Sequence, residues 1–84
     1  MSKIYLDVRV PGLARTYEFS ADNVMSVGKV KSHFASQISA AEGRDIFPDP
    51  GKVLFCSQAL EGFLQDFEIL GDVGIVSGDT IILL

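Results

Sequence analysis

Hydrophobic and polar residues alternate strictly near the start of the chain. Ile4, Leu6, Val8 and Val10 share one parity, and Tyr5, Asp7 and Arg9 share the other. A strand turns successive side chains to opposite faces, so this spacing predicts a β-strand buried on one side. Pro11-Gly12 follows as a turn, because Pro presets φ and Gly accepts positive φ. Alternation resumes at Arg15-Thr16-Tyr17-Glu18-Phe19, with Tyr17 and Phe19 on the inward parity. Two strands so close in sequence read as an antiparallel hairpin.

The period then changes. Val27, Val30, Phe34, Ile38 and Ala41 recur at intervals of 3, 4, 4 and 3, which is one stripe of an α-helix. Lys29, Lys31, Ser32, Ser36 and Gln37 fall to its outer face. Ser26 is placed to cap the N-terminus, and Gly43 to end the last turn. A loop marked by Pro48, Pro50 and Gly51 leads into Val53-Leu54-Phe55-Cys56, a short apolar third strand. The stretch from Gln58 to Leu70 is irregular, with room for a brief strand and a helical turn. Phe63, Leu64 and Phe67 stand there among acidic residues, and Phe67 above all is expected to cap the core from below. Ser77-Gly78-Asp79 is a turn, and Thr80-Ile81-Ile82-Leu83-Leu84 reads as a central strand covered on at least one face.

This order predicts an α+β fold: a mixed sheet of four to five strands with one main α-helix packed on one face. The first and last strands are the most hydrophobic, so they should lie side by side at the sheet centre. The second sheet face then stays bare, and a bare face is where a partner would bind.

Composition narrows the function. Eighty-four residues, 48% of them hydrophobic and 21% charged, support one domain over 1–84 with a thin core and little room for an elaborate cavity. A net charge of −4 argues against nucleic acid and against anionic lipid, both of which require a cationic face. No apolar run approaches a membrane span, and the first residues lack a signal-peptide pattern. A cytoplasmic chain without direct membrane insertion is expected. Cys56 is the single cysteine, which leaves no internal disulfide or paired-thiolate zinc site and fits a reducing compartment.

The chemical candidates are few. No cation or helix N-terminus lies near Cys56 in sequence to lower its thiol pKa, so a buried structural role is expected. His33 sits off the helix stripe, at the surface, and no third group orients a dyad. Gly28-Lys29 and Gly51-Lys52 lack the earlier glycine of a phosphate loop. The glycines at 71, 74 and 78 are turn-makers, and Asp45, Asp49, Asp66, Asp72 and Asp79 lack calcium-loop spacing. No catalytic residue, cofactor, metal or small-molecule substrate is expected. All seven basic residues lie at or before Lys52, whereas Glu61, Asp66, Glu68, Asp72 and Asp79 lie beyond it. That skew is either plain solvated surface or an acidic rim that steers a basic partner, and together with Phe63, Leu64 and Phe67 such a rim would make a second docking region.

Two segments carry a family resemblance. Pro50-Gly51-Lys52-Val53-Leu54-Phe55-Cys56-Ser57-Gln58-Ala59-Leu60-Glu61 resembles the ubiquitin pattern of proline-bearing loop, basic-aliphatic-aliphatic-Phe strand, turn and Leu-Glu pair. Leu70-Gly71-Asp72-Val73-Gly74-Ile75-Val76-Ser77-Gly78-Asp79-Thr80-Ile81 is similar to the ending of the bacterial YukD/EsaB-like branch. That branch comprises small ubiquitin-like accessory proteins, or N-terminal domains of larger membrane components, of type VII secretion systems.

The resemblance implies a ubiquitin-like β-grasp and a non-catalytic interaction module. The module would dock through its open sheet face on a cytoplasmic domain of the secretion machinery, which would recruit it to the inner face of the membrane. It also implies a patch. By position, Leu54 and Leu84 match two members of ubiquitin's partner-binding surface, and Leu13 is the nearest candidate for the third. Leu54 alternatively packs within the sheet, since a one-residue register slip reverses its side.

Two departures qualify the resemblance. Modifiers and sulfur carriers need a flexible diglycine tail for adenylation, whereas Leu83-Leu84 belongs to the last strand, so conjugation is not expected. The stretch from Leu60 to Leu70 and the loop after the helix are both longer than in ubiquitin. The alternatives are a ubiquitin-like domain excised from a larger membrane-associated secretion component, or a modifier lacking its tail.

Overall fold

A computed structural model describes residues 2–84, with the backbone alone at Pro50. Five strands form one sheet: β1 (Lys3–Val10), β2 (Arg15–Asp22), β3 (Phe55–Ser57), β4 (Gly62–Leu64) and β5 (Thr80–Leu83). Their order is β2-β1-β5-β3-β4. Only the β1–β5 pair is parallel. The first and last strands therefore do lie together at the centre, and α1 (Val27–Glu42), the one α-helix among the described residues, packs on one face.

Burial in β1 alternates without a break, and Leu6 and Val8 are fully enclosed. Opposite them in β2, Tyr17 and Phe19 face the same side. Their rings stack at 5.6 Å, and Phe19 stacks on Phe34 of the helix at 5.1 Å. This aromatic column ties the hairpin to α1. The Tyr17 hydroxyl donates to Glu42 Oε2 at 2.7 Å. Burial raises the pKa of that phenol, and the adjacent Glu42 carboxylate raises it further. The hairpin turn differs from expectation. Pro11–Leu13 forms a 3-10 turn, and Ala14, not Gly12, takes the left-handed conformation at φ 52°.

The helix caps are as the sequence predicts. Ser26 Oγ accepts the Lys29 N–H at 3.3 Å, and Gly43 ends α1 at φ 71°. Val27, Val30, Phe34 and Ile38 are buried, but Ala41 is exposed and Ala35 is buried instead. Lys31 is the larger correction: it is only 4% exposed, although its spacing assigns it outward. The cause lies in the segment after β4, which folds over the first turn of α1. There Val27 N–H donates to Glu68 O at 2.7 Å, and Gly28 N–H to Asp66 O at 3.0 Å. These bonds satisfy amides that a helix start leaves without partners. Lys31 Nζ meets Asp66 Oδ1 at 2.6 Å beneath that strap. A side chain at Gly28 would come within 3.1 Å of Asp66 Cβ, so glycine permits the approach.

The third strand begins two residues later than its apolar run. Even so, Leu54 exchanges both backbone hydrogen bonds with Leu84, at 3.1 and 3.0 Å. The irregular stretch contains β4, then Leu70 and Ile75 as buried anchors. Leu70 and Gly71 donate to the carbonyls of Met25 and Asn23. Ser77 Oγ accepts the Tyr5 N–H, Gly78 N–H donates to Tyr5 O, and Asp7 N–H donates to Asp79 O. Gly78 stands at φ 94° to make that turn. The Ser-Gly-Asp motif thus hooks the chain to β1 and delivers β5 in register. Phe67 does not cap the core: it is 80% exposed.

Candidate functional site

With α1 covering one side, the outward parity of every strand lies on the bare side. Register places one row across all five strands there: Thr16, Arg9, Ile82, Cys56 and Phe63. Two residues along from Cys56 and Ile82, the paired Leu54 and Leu84 point the same way, because side chains repeat with period 2. Leu54 is 49% exposed, Leu84 54% and Phe63 55%, while Ile82 and Cys56 are half-buried between them. The result is a continuous apolar surface over β5, β3 and β4.

Of the residues singled out by sequence, the structure brings Leu54 and Leu84 together as a cross-strand pair. Leu13 sits in the turn after β1, half-buried against the core cluster. The parallel β1–β5 register puts that turn at the same end of the sheet as Leu84. Cys56 corrects its expectation: it is not in the core but half-buried on the bare side. Ile82, Cys56 and Phe63 were not anticipated as members of this face. The signal was available in parity, since buried Ile81 and Leu83 force Ile82 outward, and buried Phe55 and Ser57 force Cys56 outward.

The surface offers contact area and few reactive groups. The single thiol is on the sheet, and the single imidazole, His33, is exposed on the helix. Among the described residues, no three His, Cys, Asp or Glu side chains cluster as metal ligands. Nor is any helix among them long and apolar enough to cross a membrane.

No protein-family model matches the chain, and no curated protein matches it. Solved structures do. The N-terminal ubiquitin-like domain of the 4931431F19Rik protein superposes with a TM-score of 0.71 at 22% identity, over 98% of this chain and 73% of that one. The ubiquitin-like domain of the Arabidopsis thaliana protein At2g32350 gives 0.73 at 19% identity, over 100% of this chain and 78% of the other. A designed protein based on ubiquitin gives 0.69 at 13% identity, over 98% and 87%. Identities this low speak to fold alone. The helix on one face, the parallel β1–β5 centre and these superpositions agree that the chain has the ubiquitin-like β-grasp fold.

Proposed function

We propose that this chain is a non-catalytic interaction module that docks a protein partner through the apolar half of its bare sheet face. Leu54 and Leu84 form the centre of the contact, Ile82, Cys56 and Phe63 extend it, and Leu13 flanks it beside the β1 turn. The observation that carries this reading is the Leu54–Leu84 pair, two aliphatic side chains about half exposed and held side by side by two backbone hydrogen bonds. Covering apolar area stabilises a complex by about 25 cal/mol per Å² before the costs of association, and well-packed anchors at the centre dominate the result.

In its finer form the partner is a cytoplasmic domain of a type VII secretion component. Support for this comes from the likeness of Leu70–Ile81 to the ending of the YukD/EsaB-like branch. Such a module works in the cytoplasm and reaches the membrane's inner face through its partner. A second reading, a domain within a longer secretion component, draws support from two of the structural neighbours, which are named as domains of other proteins.

A photo-crosslinking residue at position 56, expressed in the native cells, tests the proposal. A discrete adduct containing a secretion component, abolished by Ile82→Arg, is expected. Adducts insensitive to Ile82→Arg, or free of any secretion component, would refute the docking face or the partner respectively.

A further inference from the structure

β4 ends at Leu64, and the chain then leaves the sheet to strap the helix. Beside Val53 and Leu54 this departure opens a cleft of about 320 Å³. Leu54, Phe63, Asp66 and Phe67 line it, together with the buried Lys31. Phe67 is 80% exposed and Phe63 55%, so two solvent-accessible rings line one opening.

Of the two charged residues that line the cleft, Lys31 is buried and the exposed one is Asp66. Asp66 has Oδ1 on Lys31 Nζ, yet its side chain is 60% exposed. That exposure leaves the carboxylate free to accept further hydrogen bonds. Glu68 adjoins Phe67, its Oε1 accepting the Gln65 N–H at 2.7 Å. Lys31 is consumed in its ion pair, and Lys52 leans toward Asp49 at 3.9 Å. No cation occurs in the chain after Lys52.

These features select among occupants. An acidic segment is repelled. A purely aliphatic one covers the rings but strips water from Asp66 without replacing its hydrogen bonds, which is costly. An arginine side chain meets both demands. Its flat guanidinium stacks on aromatic faces and is weakly hydrated, and its N–H fork pairs with a carboxylate. We propose that this cleft binds an arginine side chain on an extended segment of a partner protein, with Phe63 and Phe67 flanking the guanidinium and Asp66 accepting its hydrogen bonds. The inference extends the docking reading above, with which it shares Leu54 and Phe63, by naming the chemistry of the partner.

The test is titration of the ¹⁵N-labelled chain with the peptide acetyl-Gly-Leu-Arg-Leu-Gly-amide and with its citrulline twin, a neutral isostere. The arginine peptide should shift the amides of Gly51, Leu54 and Phe63 to Phe67, and citrulline should weaken binding by about tenfold. Phe67→Ala, at a site too exposed to disturb folding, should weaken the arginine peptide by a similar factor. Equal binding of the two peptides, no shifts, or shifts over Thr16 and Glu18 would overturn the proposal. So would concentration-dependent shifts of these same amides without peptide, which would mean that a second copy fills the cleft. Ile82→Arg separates the two readings: it should abolish the cellular crosslink from position 56 yet spare the peptide. Loss of the peptide response with an intact crosslink defeats only the arginine site.

Discussion

The two halves of the bare sheet face obey the same pleat and carry opposite chemistry. Over β2 and β1 the outward positions are Thr16, Glu18, Ser20 and Asp22 beside Lys3, Tyr5, Asp7 and Arg9. Over β5, β3 and β4 they are Ile82, Cys56 and Phe63, with the Leu54–Leu84 pair two residues further along β3 and β5. A β-grasp does not need aliphatic residues on this side, since the first half does without them. Scattered exposed hydrophobics are ordinary, but a contiguous set on one half of a face marks a contact surface. The inward positions beneath both halves are mostly apolar, with Arg15 and the Tyr17 hydroxyl as exceptions under one half and Ser57 under the other, so burial does not explain the difference.

The comparison can be broken most forcefully on β5, where neighbours face opposite ways. Ile81→Arg places a charge at a fully enclosed site and should cost more than about 4 kcal/mol, abolishing cooperative thermal unfolding. Ile82→Arg, one residue later, should cost about 0.5–1 kcal/mol and leave the fold intact. Circular dichroism melts of the pair decide whether the register is right.

A smaller effect is expected where the apolar half meets the helix. Asp66→Ala leaves the Lys31 ammonium without its partner and should cost about 1–3 kcal/mol by urea denaturation. Lys31→Met leaves Asp66 in water and fills the same space, so its cost should be clearly smaller. Equal costs would contradict the picture of a buried cation held by an exposed anion.

The smallest effect lies beneath the polar half. Burial and Glu42 favour the neutral phenol of Tyr17, so the folded chain holds that proton to higher pH than the unfolded one. The stabilisation is complete below the unfolded value of about 10 and is lost as pH rises through the folded one. Between about pH 9 and about pH 11 the parent chain should therefore lose stability more steeply than Tyr17→Phe. Parallel urea curves for the two chains across that range would contradict it.

What the chain discloses in advance follows from how local each cause is. The β1–β2 hairpin and the Val27 to Ile38 stripe were legible because strand and helix periods act within a few residues. Ser26 and Gly43 were legible because capping is likewise local. Lys31 and Phe67 were misjudged together and for one reason. The strap at residues 65–70 crosses the helix start, burying a lysine that helical spacing turns outward and leaving the phenylalanine at its own crest. Ala14 displaced Gly12 as the left-handed residue because the 3-10 turn placed that conformation two positions later. Of the candidate site, the outward parity of Leu54 and Leu84 was legible by resemblance. Parity turns Ile82 and Cys56 outward, but joining them with Phe63 into one surface required the registers of β3 with β5 and with β4, which bring together residues far apart in sequence.

The claim that the apolar half of the sheet grips a partner is tested most directly by crosslinking in native cells from position 56 on one half and position 18 on the other, each with and without Leu54→Arg. The account predicts one adduct from position 56, lost with Leu54→Arg in a chain that still melts cooperatively, and none from position 18. An adduct of equal yield from position 18, or one from position 56 that survives Leu54→Arg, would contradict it.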